Sequence, residues 1–132
     1  MPTVLVIDDE AQIRESIQQV LSRVGFTVTT AGDGAAGVSD FFAQPVDVVI
    51  VDIIMPRSNG IEVINQIRAQ FPGARILAIS GGGNFSSLGY KPGTITTEAY
   101  LASATQAGAD AVLSKPFRRD ELIATVRNLV KN

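Results

Sequence analysis

Hydrophobic residues along this chain alternate between short unbroken runs and stripes with helical spacing. The runs at residues 4–7 and 48–51 contain no polar side chain, which is typical of strands buried on both faces of a parallel sheet. After such runs, apolar residues recur every three or four positions, as in an amphipathic helix. Five strand–helix units are predicted, with strands at residues 3–7, 26–30, 46–51, 74–79 and 111–114.

Residues that favour turns and helix caps separate these units. Gly25 is expected to end the first helix and Asp33 to cap the second. Asn59 with Glu62 resembles a capping pair at the start of the third helix. The predicted inner faces are Ile13, Ile17, Val20, Leu21 and Val24 in the first helix, Val38, Phe41 and Phe42 in the second, Ile61, Ile64, Ile67 and Phe71 in the third, and Leu122, Val126, Leu129 and Val130 in the last.

Right-handed crossovers restrict how five such units can be wound. The common small arrangement is the flavodoxin-like α/β fold, a (βα)5 three-layer sandwich with the parallel sheet order 2-1-3-4-5. The length of 132 residues is typical of one domain, so we expect a single domain over residues 1–132.

One segment breaks the rhythm, at about residues 81–95 between the fourth strand and the fourth helix. It is rich in Gly, Ser, Asn, Lys and Pro and is longer than the ~2–6 residues usual for such a connection. It opens with three glycines but carries no phosphate-binding motif, which favours a flexible linker over a phosphate cradle.

Composition narrows the chemistry available to this fold. The chain is 45% hydrophobic and 18% charged, has a net charge of -2, and contains neither cysteine nor histidine. The net charge gives no general attraction to nucleic acid or to anionic lipid. Without thiols or imidazoles, the chemistry must rest on carboxylates, hydroxyls and lysine. No apolar stretch reaches the ~18 residues of a membrane span, and we expect a cytoplasmic protein.

Charged and hydroxyl residues follow the predicted strands at the places where ligands bind in open α/β sheets. Asp8 and Asp9 come directly after the first strand, and Asp52 comes directly after the third. Because parallel strands end at the same edge, these acids are expected to meet Ser80 and Lys115 there. Carboxylates of this kind suit Mg²⁺, which also binds phosphate oxygens. Asp52 is then a candidate nucleophile that forms an acyl phosphate, with Ser80 and Lys115 as donors to the phosphoryl oxygens.

Helix capping is the other interpretation of the acid pair, since Asp after a strand commonly caps the next helix. Placing Asp52 and Lys115 at the same edge favours a functional site, because buried carboxylates without a ligand or partner are costly.

The motifs together resemble the CheY-like receiver domain of response regulators along the whole chain. The residues that carry the resemblance are Asp8-Asp9, Asp52 followed by Met55-Pro56 and Gly60, Ser80-Gly81, and Lys115-Pro116-Phe117. The resemblance implies a stand-alone response regulator of a two-component or phosphorelay system. It also implies a signalling protein that promotes its own phosphoryl transfer and dephosphorylation and is not an enzyme acting on other substrates.

The resemblance assigns a role to each site residue. Asp52 would accept a phosphoryl group from a phosphohistidine on a sensor histidine kinase or a histidine phosphotransfer protein. Asp9, Asp52 and the main-chain carbonyl of Ile54 would bind Mg²⁺ directly, and Asp8 would act largely through water. Ser80 and Lys115 would contact the phosphoryl oxygens.

Further positions concern the shape and the output of the domain. The bond from Lys115 to Pro116 would be cis, and Gly81 would be kept small so that the donor can approach. A downstream protein would bind the surface formed by the fourth helix, the fifth strand and the fifth helix. The chain would be a monomer or a phosphorylation-dependent homodimer, with no nucleic-acid or membrane partner.

The chain departs from the family pattern at two places. Val112 stands where the family has a Tyr or Phe that reports phosphorylation, and the loop at residues 81–95 is longer than usual. We hypothesise that this loop, with Phe85 and Tyr90, becomes ordered on phosphorylation and replaces the aromatic signal. Ile54 and Gly82 offer little to position an attacking water, which predicts slow loss of phosphate.

Two other functional classes remain open. A pseudo-receiver would keep the fold without being phosphorylated, and the complete set of acids argues against it. A phosphatase of the dehalogenase type also uses an Asp nucleophile with Mg²⁺, but it should have a second Asp where Ile54 stands.

Overall fold

Five parallel strands form the central sheet of the computed structural model, which describes residues 2–56, 58–81 and 97–131. The strands are β1 (Thr3–Ile7), β2 (Thr27–Ala31), β3 (Val48–Asp52), β4 (Arg75–Gly81) and β5 (Ala111–Lys115). They pair in the order β2-β1-β3-β4-β5, so the predicted order is confirmed.

Helices cover both faces of the sheet. The first face carries α1 (Ala11–Arg23) and α5 (Arg119–Lys131), and the second carries α2 (Gly34–Ala43), α3 (Gly60–Gln70) and α4 (Thr97–Ala107). A short antiparallel hairpin joins Ile54–Met55 to Ser58–Asn59 between β3 and α3. The predicted flavodoxin-like sandwich is therefore the observed fold. No helix in the described ranges combines the length and the apolar character needed to span a bilayer.

The central strands are unbroken apolar runs because helices bury both of their faces. In β1, Leu5 and Ile7 pack in the hydrophobic cluster beneath α2, α3 and α4, whereas Val4 and Val6 pack in the cluster beneath α1 and α5. All four side chains are buried. The buried polar residues Asp8, Asp52 and Ser80 all lie at the carboxyl ends of these central strands.

Several predicted strand boundaries differ from the observed ones by one or two residues. β2 begins at Thr27, because the amide of Phe26 donates to the carbonyl of Leu21 at the end of α1. β3 begins at Val48 and includes Asp52, and β5 includes Lys115. Both charged site residues are thus held by the sheet and do not lie in the loops that follow.

Phe42 was predicted to belong to the core, and this prediction is wrong. The side chain is 42% exposed and lies at the surface beside the rings of Phe41 and Phe71. Successive residues of a helix point about 100° apart, so Phe41 and Phe42 cannot both face the sheet. Phe41 takes the inner position together with Val38.

The caps explain where the helices begin and end. Gly25 follows α1 with a φ of 101°, a conformation that favours glycine. The side chain of Asp33 accepts from the amide of Ala36, and that of Asn59 accepts from the amide of Ile61. Glu62 does not complete the predicted capping pair, because its carboxylate accepts from the side-chain amide of Gln66.

Gly60, the first residue of α3, fixes the connection that follows Asp52. A Cβ atom at this position would overlap with main-chain atoms of Asp52 and Ile53. We expect Gly60→Ala to lower the free energy of unfolding by about 2–3 kcal/mol in denaturant titrations. Gly73→Ala is the matched control, since a Cβ there meets no atom within 4 Å. An equal loss of stability in both variants would contradict the proposed close approach.

Candidate functional site

The carboxyl-terminal edge of the sheet brings together the predicted site residues. Asp8 directly follows β1, and Asp52 ends β3 opposite Ile79 of β4. Ser80 lies opposite Ser114 of β5, one position before Lys115. The edge thus collects two carboxylates, a hydroxyl and an ammonium group from four strands.

Lys115 joins the two buried carboxylates. Its Nζ atom lies 3.0 Å from Oδ2 of Asp8 and 3.4 Å from Oδ2 of Asp52. Asp8 is fully buried and Asp52 nearly so, while the Lys115 side chain is 11% exposed. An ammonium between two buried carboxylates offsets part of their mutual repulsion.

Main-chain amides orient the other oxygen of each carboxylate. Oδ1 of Asp8 accepts from the amide of Glu10 at 2.9 Å, and Oδ1 of Asp52 accepts from the amide of Ile54 at 3.1 Å. Each carboxylate is therefore held by the loop that follows it and by Lys115. Asp8 does not cap α1, because the residue at the cap position is Glu10, and the amide that Oδ1 of Asp8 accepts from is that of Glu10 itself.

The surroundings shift the protonation of the acids. Burial, and after it the charge of Asp8, raises the pKa of Asp52 to about 7, although Lys115 opposes this shift. Burial and the charge of Asp8 also raise the pKa of Asp9. Burial by itself lowers the pKa of Lys115, but the charges of Asp52 and Asp8 outweigh it and the pKa is raised overall. Asp52 is thus a carboxyl group that a cation at this edge would help to ionise.

An acidic cluster lies at the mouth of the site. Carboxylate oxygens of Asp8, Asp9 and Glu10 can lie within 4.8 Å of one another, and Asp9 is exposed. A donor set made only of oxygen suits a hard cation such as Mg²⁺. The chemistry of these residues therefore fits a magnesium ion at this edge.

Ser80 is a hydroxyl group without a partner. Its Oγ atom is buried and forms no hydrogen bond within the described part of the chain. Most buried side-chain polar atoms have such a partner, so an orphaned hydroxyl on the strand between those of Asp52 and Lys115 fits a donor kept for a ligand.

Comparison with known proteins identifies the family. The family model described as the response regulator receiver domain matches residues 4–89. This chain belongs to the response regulator receiver domain family. Such domains serve in two-component systems, where histidine kinases phosphorylate them on an aspartate with Mg²⁺ and they regulate downstream targets.

Two relatives show how far the similarity extends. The probable transcriptional regulatory protein TcrX of Mycobacterium tuberculosis is 31% identical over 129 residues, which are 98% of this chain and 50% of that protein. The response regulator MprA of Mycobacterium ulcerans is 32% identical over 128 residues, which are 97% of this chain and 50% of that protein. The chain thus spans about half the length of the curated relatives it matches.

Solved structures agree with the fold. The receiver domain of NtrX from Brucella abortus superposes with a TM-score of 0.82 at 27% identity, covering 98% of each chain. The chemotaxis protein CheY4 of Vibrio cholerae superposes with a TM-score of 0.81 at 27% identity, also covering 98% of each chain.

Other positions assigned from the family pattern can now be located in the receiver domain. The bond from Lys115 to Pro116 is cis, and Gly81 is the last residue of β4. Val112 is partly buried and packs against the hydrophobic cluster beneath α2, α3 and α4, so an aliphatic side chain occupies the expected aromatic position. Most of the segment at 81–95, with Gly82, Phe85 and Tyr90, lies outside the described residues.

Sequence reasoning missed two residues near the acids. Glu10 extends the acid pair to three consecutive acids, and this run was the available signal. Arg14 donates through Nη1 to the main-chain carbonyl of Asp8 at 2.7 Å and lies beside Gly32. Its position one turn into α1 carries no such signal in the sequence, because the contact depends on how the loop folds back.

Proposed function

We propose that this receiver domain accepts a phosphoryl group on Asp52 from a phosphohistidine of a sensor histidine kinase or a histidine phosphotransfer protein. The observation that carries the proposal is the ammonium of Lys115, 3.4 Å from Asp52, with the buried and unbonded hydroxyl of Ser80 near the end of the strand between them. In the transfer, an oxygen of Asp52 bonds to phosphorus, the phosphorus–nitrogen bond breaks, and the imidazole keeps the electron pair. Such transfer depends mainly on positioning and electrostatics, which this chain supplies without a histidine of its own.

Lys115 and Ser80 would stabilise the transferred group. A phosphoryl group on Asp52 adds negative charge at the place where Lys115 already contacts the carboxylate. Lys115 would then donate to a phosphoryl oxygen, and the Ser80 hydroxyl would donate to another. These contacts strengthen as charge moves onto the phosphoryl oxygens, so they favour transfer.

Asp9, Asp52 and the main-chain carbonyl of Ile54 would hold Mg²⁺ directly, and Asp8 would act through water. Asp8 is fully buried, and its two oxygens accept hydrogen bonds from Lys115 and from the amide of Glu10. Asp9 is exposed and able to turn toward a cation. When bound, the ion supplies positive charge that neutralises the carboxylates and the phosphoryl oxygens.

Removing the Ser80 hydroxyl shows whether this group contributes to phosphorylation or to the stability of the fold. We expect Ser80→Ala to leave the free energy of unfolding within about 0.5 kcal/mol of the original, because no hydrogen bond is lost. The rate of phosphorylation by acetyl phosphate should fall at least about tenfold, since a donor to the phosphoryl group is removed. Ser114→Ala, at the exposed partner position on β5, should change neither quantity. A large loss of stability in Ser80→Ala would mean that the hydroxyl is structural.

The output is proposed to pass by protein contact through α4, β5 and α5, without direct binding of nucleic acid by this chain. Its net charge of -2 supports the second part. A second candidate is an output through an attached domain, favoured by relatives that are about twice as long, one of them named as a transcriptional regulator. Dimerisation through the surface of α4, β5 and α5 is tested by ultracentrifugation with and without beryllofluoride.

The domain is further proposed not to be an enzyme that acts on other substrates. Ile54 occupies the position where a dehalogenase-type phosphatase has its second acid, and its amide donates a hydrogen bond to Oδ1 of Asp52. Turnover of p-nitrophenyl phosphate with Mg²⁺ would support the phosphatase instead.

Transfer from a phosphohistidine protein tests the proposed function. A radiolabelled histidine phosphotransfer protein or kinase is mixed with the receiver domain and Mg²⁺, and the label on each protein is followed with time. Label should move to the original protein and not to Asp52→Asn. Asp40→Asn, an exposed acid on α2, is the matched control and should accept label normally. A folded protein that accepts no label from any such donor would favour the pseudo-receiver.

A further inference from the structure

Glu10 stands on the solvent side of the ammonium that binds the phosphoacceptor. Its Oε1 atom lies 3.9 Å from Nζ of Lys115, and its side chain is 42% exposed, whereas Asp8 is buried on the inner side. Lys115 is therefore surrounded by two buried carboxylates and one accessible carboxylate. Apart from its place in the acidic cluster with Asp8 and Asp9, the Glu10 side chain has no role in the function proposed above.

Glu10 also borders the approach to Lys115. Together with Lys115, Pro116 and Phe117 it lines a cavity of about 490 Å³ between α1 and α5. A small anionic donor that binds Lys115 therefore comes close to the charge of Glu10, whose Oε1 atom lies 3.9 Å from Nζ. The separation of 3.9 Å is longer than a hydrogen bond, so this ion pair is weak and can be displaced.

We propose that Glu10 selects among phosphodonors by charge, slowing the reaction with small free dianions. The proposal rests on phosphorylation of Asp52. The carboxylate repels an incoming dianion and competes with its oxygens for Lys115, and both effects grow with the charge of the donor. A donor carried on a protein gains binding energy from the rest of its contact surface and is less affected.

Two small donors of different charge separate this effect from a general change in the site. Near pH 8 acetyl phosphate is a dianion, whereas phosphoramidate carries one net negative charge less. With acetyl phosphate, an oxygen of Asp52 bonds to phosphorus and acetate leaves with the electron pair. With phosphoramidate, the phosphorus–nitrogen bond breaks and ammonia leaves with the electron pair.

The experiment measures rate constants for both donors at saturating Mg²⁺. The chain has no tryptophan, so phosphorylation is followed by intact mass on quenched samples. Glu10→Gln should react about three- to tenfold faster with acetyl phosphate, and the gain with phosphoramidate should be clearly smaller. Glu10→Asp, which keeps the charge, should stay close to the original protein. Glu15→Gln removes an exposed acid further along α1 and should have no effect.

The dependence of the phosphorylation rate on salt distinguishes an electrostatic effect of Glu10 from a structural one. The advantage of Glu10→Gln should shrink as ionic strength rises from about 0.05 M to 0.5 M, because salt screens the repulsion. Equal gains with both donors, no gain, or a slower reaction accompanied by weaker Mg²⁺ binding would each overturn the proposal. Failure of the original protein to react with either donor would overturn the proposed function itself, whereas reaction at Asp52 without a donor-dependent effect of Glu10 would overturn this inference alone.

Discussion

Replacing Lys115 with methionine is expected to lower the free energy of unfolding of the metal-free protein by about 3–5 kcal/mol at pH 8. The substitution leaves Asp8 and Asp52, both buried, without the ammonium that lies within 3.4 Å of each. It should also slow phosphorylation by acetyl phosphate at least about a hundredfold, because the donor to the phosphoryl oxygens is lost. Urea titration with a chelator present measures the first effect, and intact mass measures the second.

Matched variants assign the loss of stability to the buried charges. Lys131→Met removes an exposed lysine at the end of α5 and should change stability by less than about 0.5 kcal/mol. The double variant of Lys115→Met with Asp52→Asn should recover much of the loss, since one unpaired carboxylate disappears with its partner. If Lys115→Met were as stable as the original protein, the ion pairs would contribute nothing and the electrostatic account of the site would be wrong.

The second large effect is a dependence of stability on pH. The pKa of Asp52 is about 7 in the folded protein against an ordinary 3.8, so between these values the folded state keeps a proton that the unfolded chain has released. The stabilisation that this proton provides is fully present below about pH 4 and is lost as the pH rises through 7. The difference corresponds to on the order of 2–4 kcal/mol. Asp9 shifts in the same direction but is exposed and contributes less.

Asp52→Asn isolates this contribution. Without Mg²⁺, the variant should be about as stable as the original protein near pH 4, should gain a growing advantage in stability as the pH rises, and should be more stable by on the order of 2–4 kcal/mol at pH 8. Added Mg²⁺ should stabilise the original protein more at pH 8 than at pH 6, because metal ligands must be deprotonated. A stability difference that stays constant from pH 5 to pH 8 would contradict the raised pKa.

The meeting of Asp8, Asp52 and Lys115 was predictable because it depends only on topology. Unbroken apolar runs identify buried parallel strands, and parallel strands end at one edge. The structure places the Lys115 ammonium within hydrogen-bonding distance of both acids, as this logic requires. No knowledge of side-chain conformation was needed.

Features that depend on side-chain orientation could not be predicted in the same way. The helical stripe assigned both Phe41 and Phe42 to the core, but the rotation of α2 allows only Phe41 to face the sheet. The contact of Arg14 with the Asp8 carbonyl requires the loop to fold back over α1. That Ser80 lacks a partner is a property of its surroundings, and the sequence shows only a serine.

The measurement that tests the central claim most directly is mapping of the phosphoryl group after incubation with acetyl phosphate and Mg²⁺. Intact mass should show the addition of one phosphoryl group, and peptide mapping after borohydride reduction should place it on Asp52. The addition should be lost when Mg²⁺ is chelated and should be absent from Asp52→Asn. A phosphoryl group on another residue, or one that persists in Asp52→Asn, would contradict the assignment of Asp52 as the phosphoacceptor.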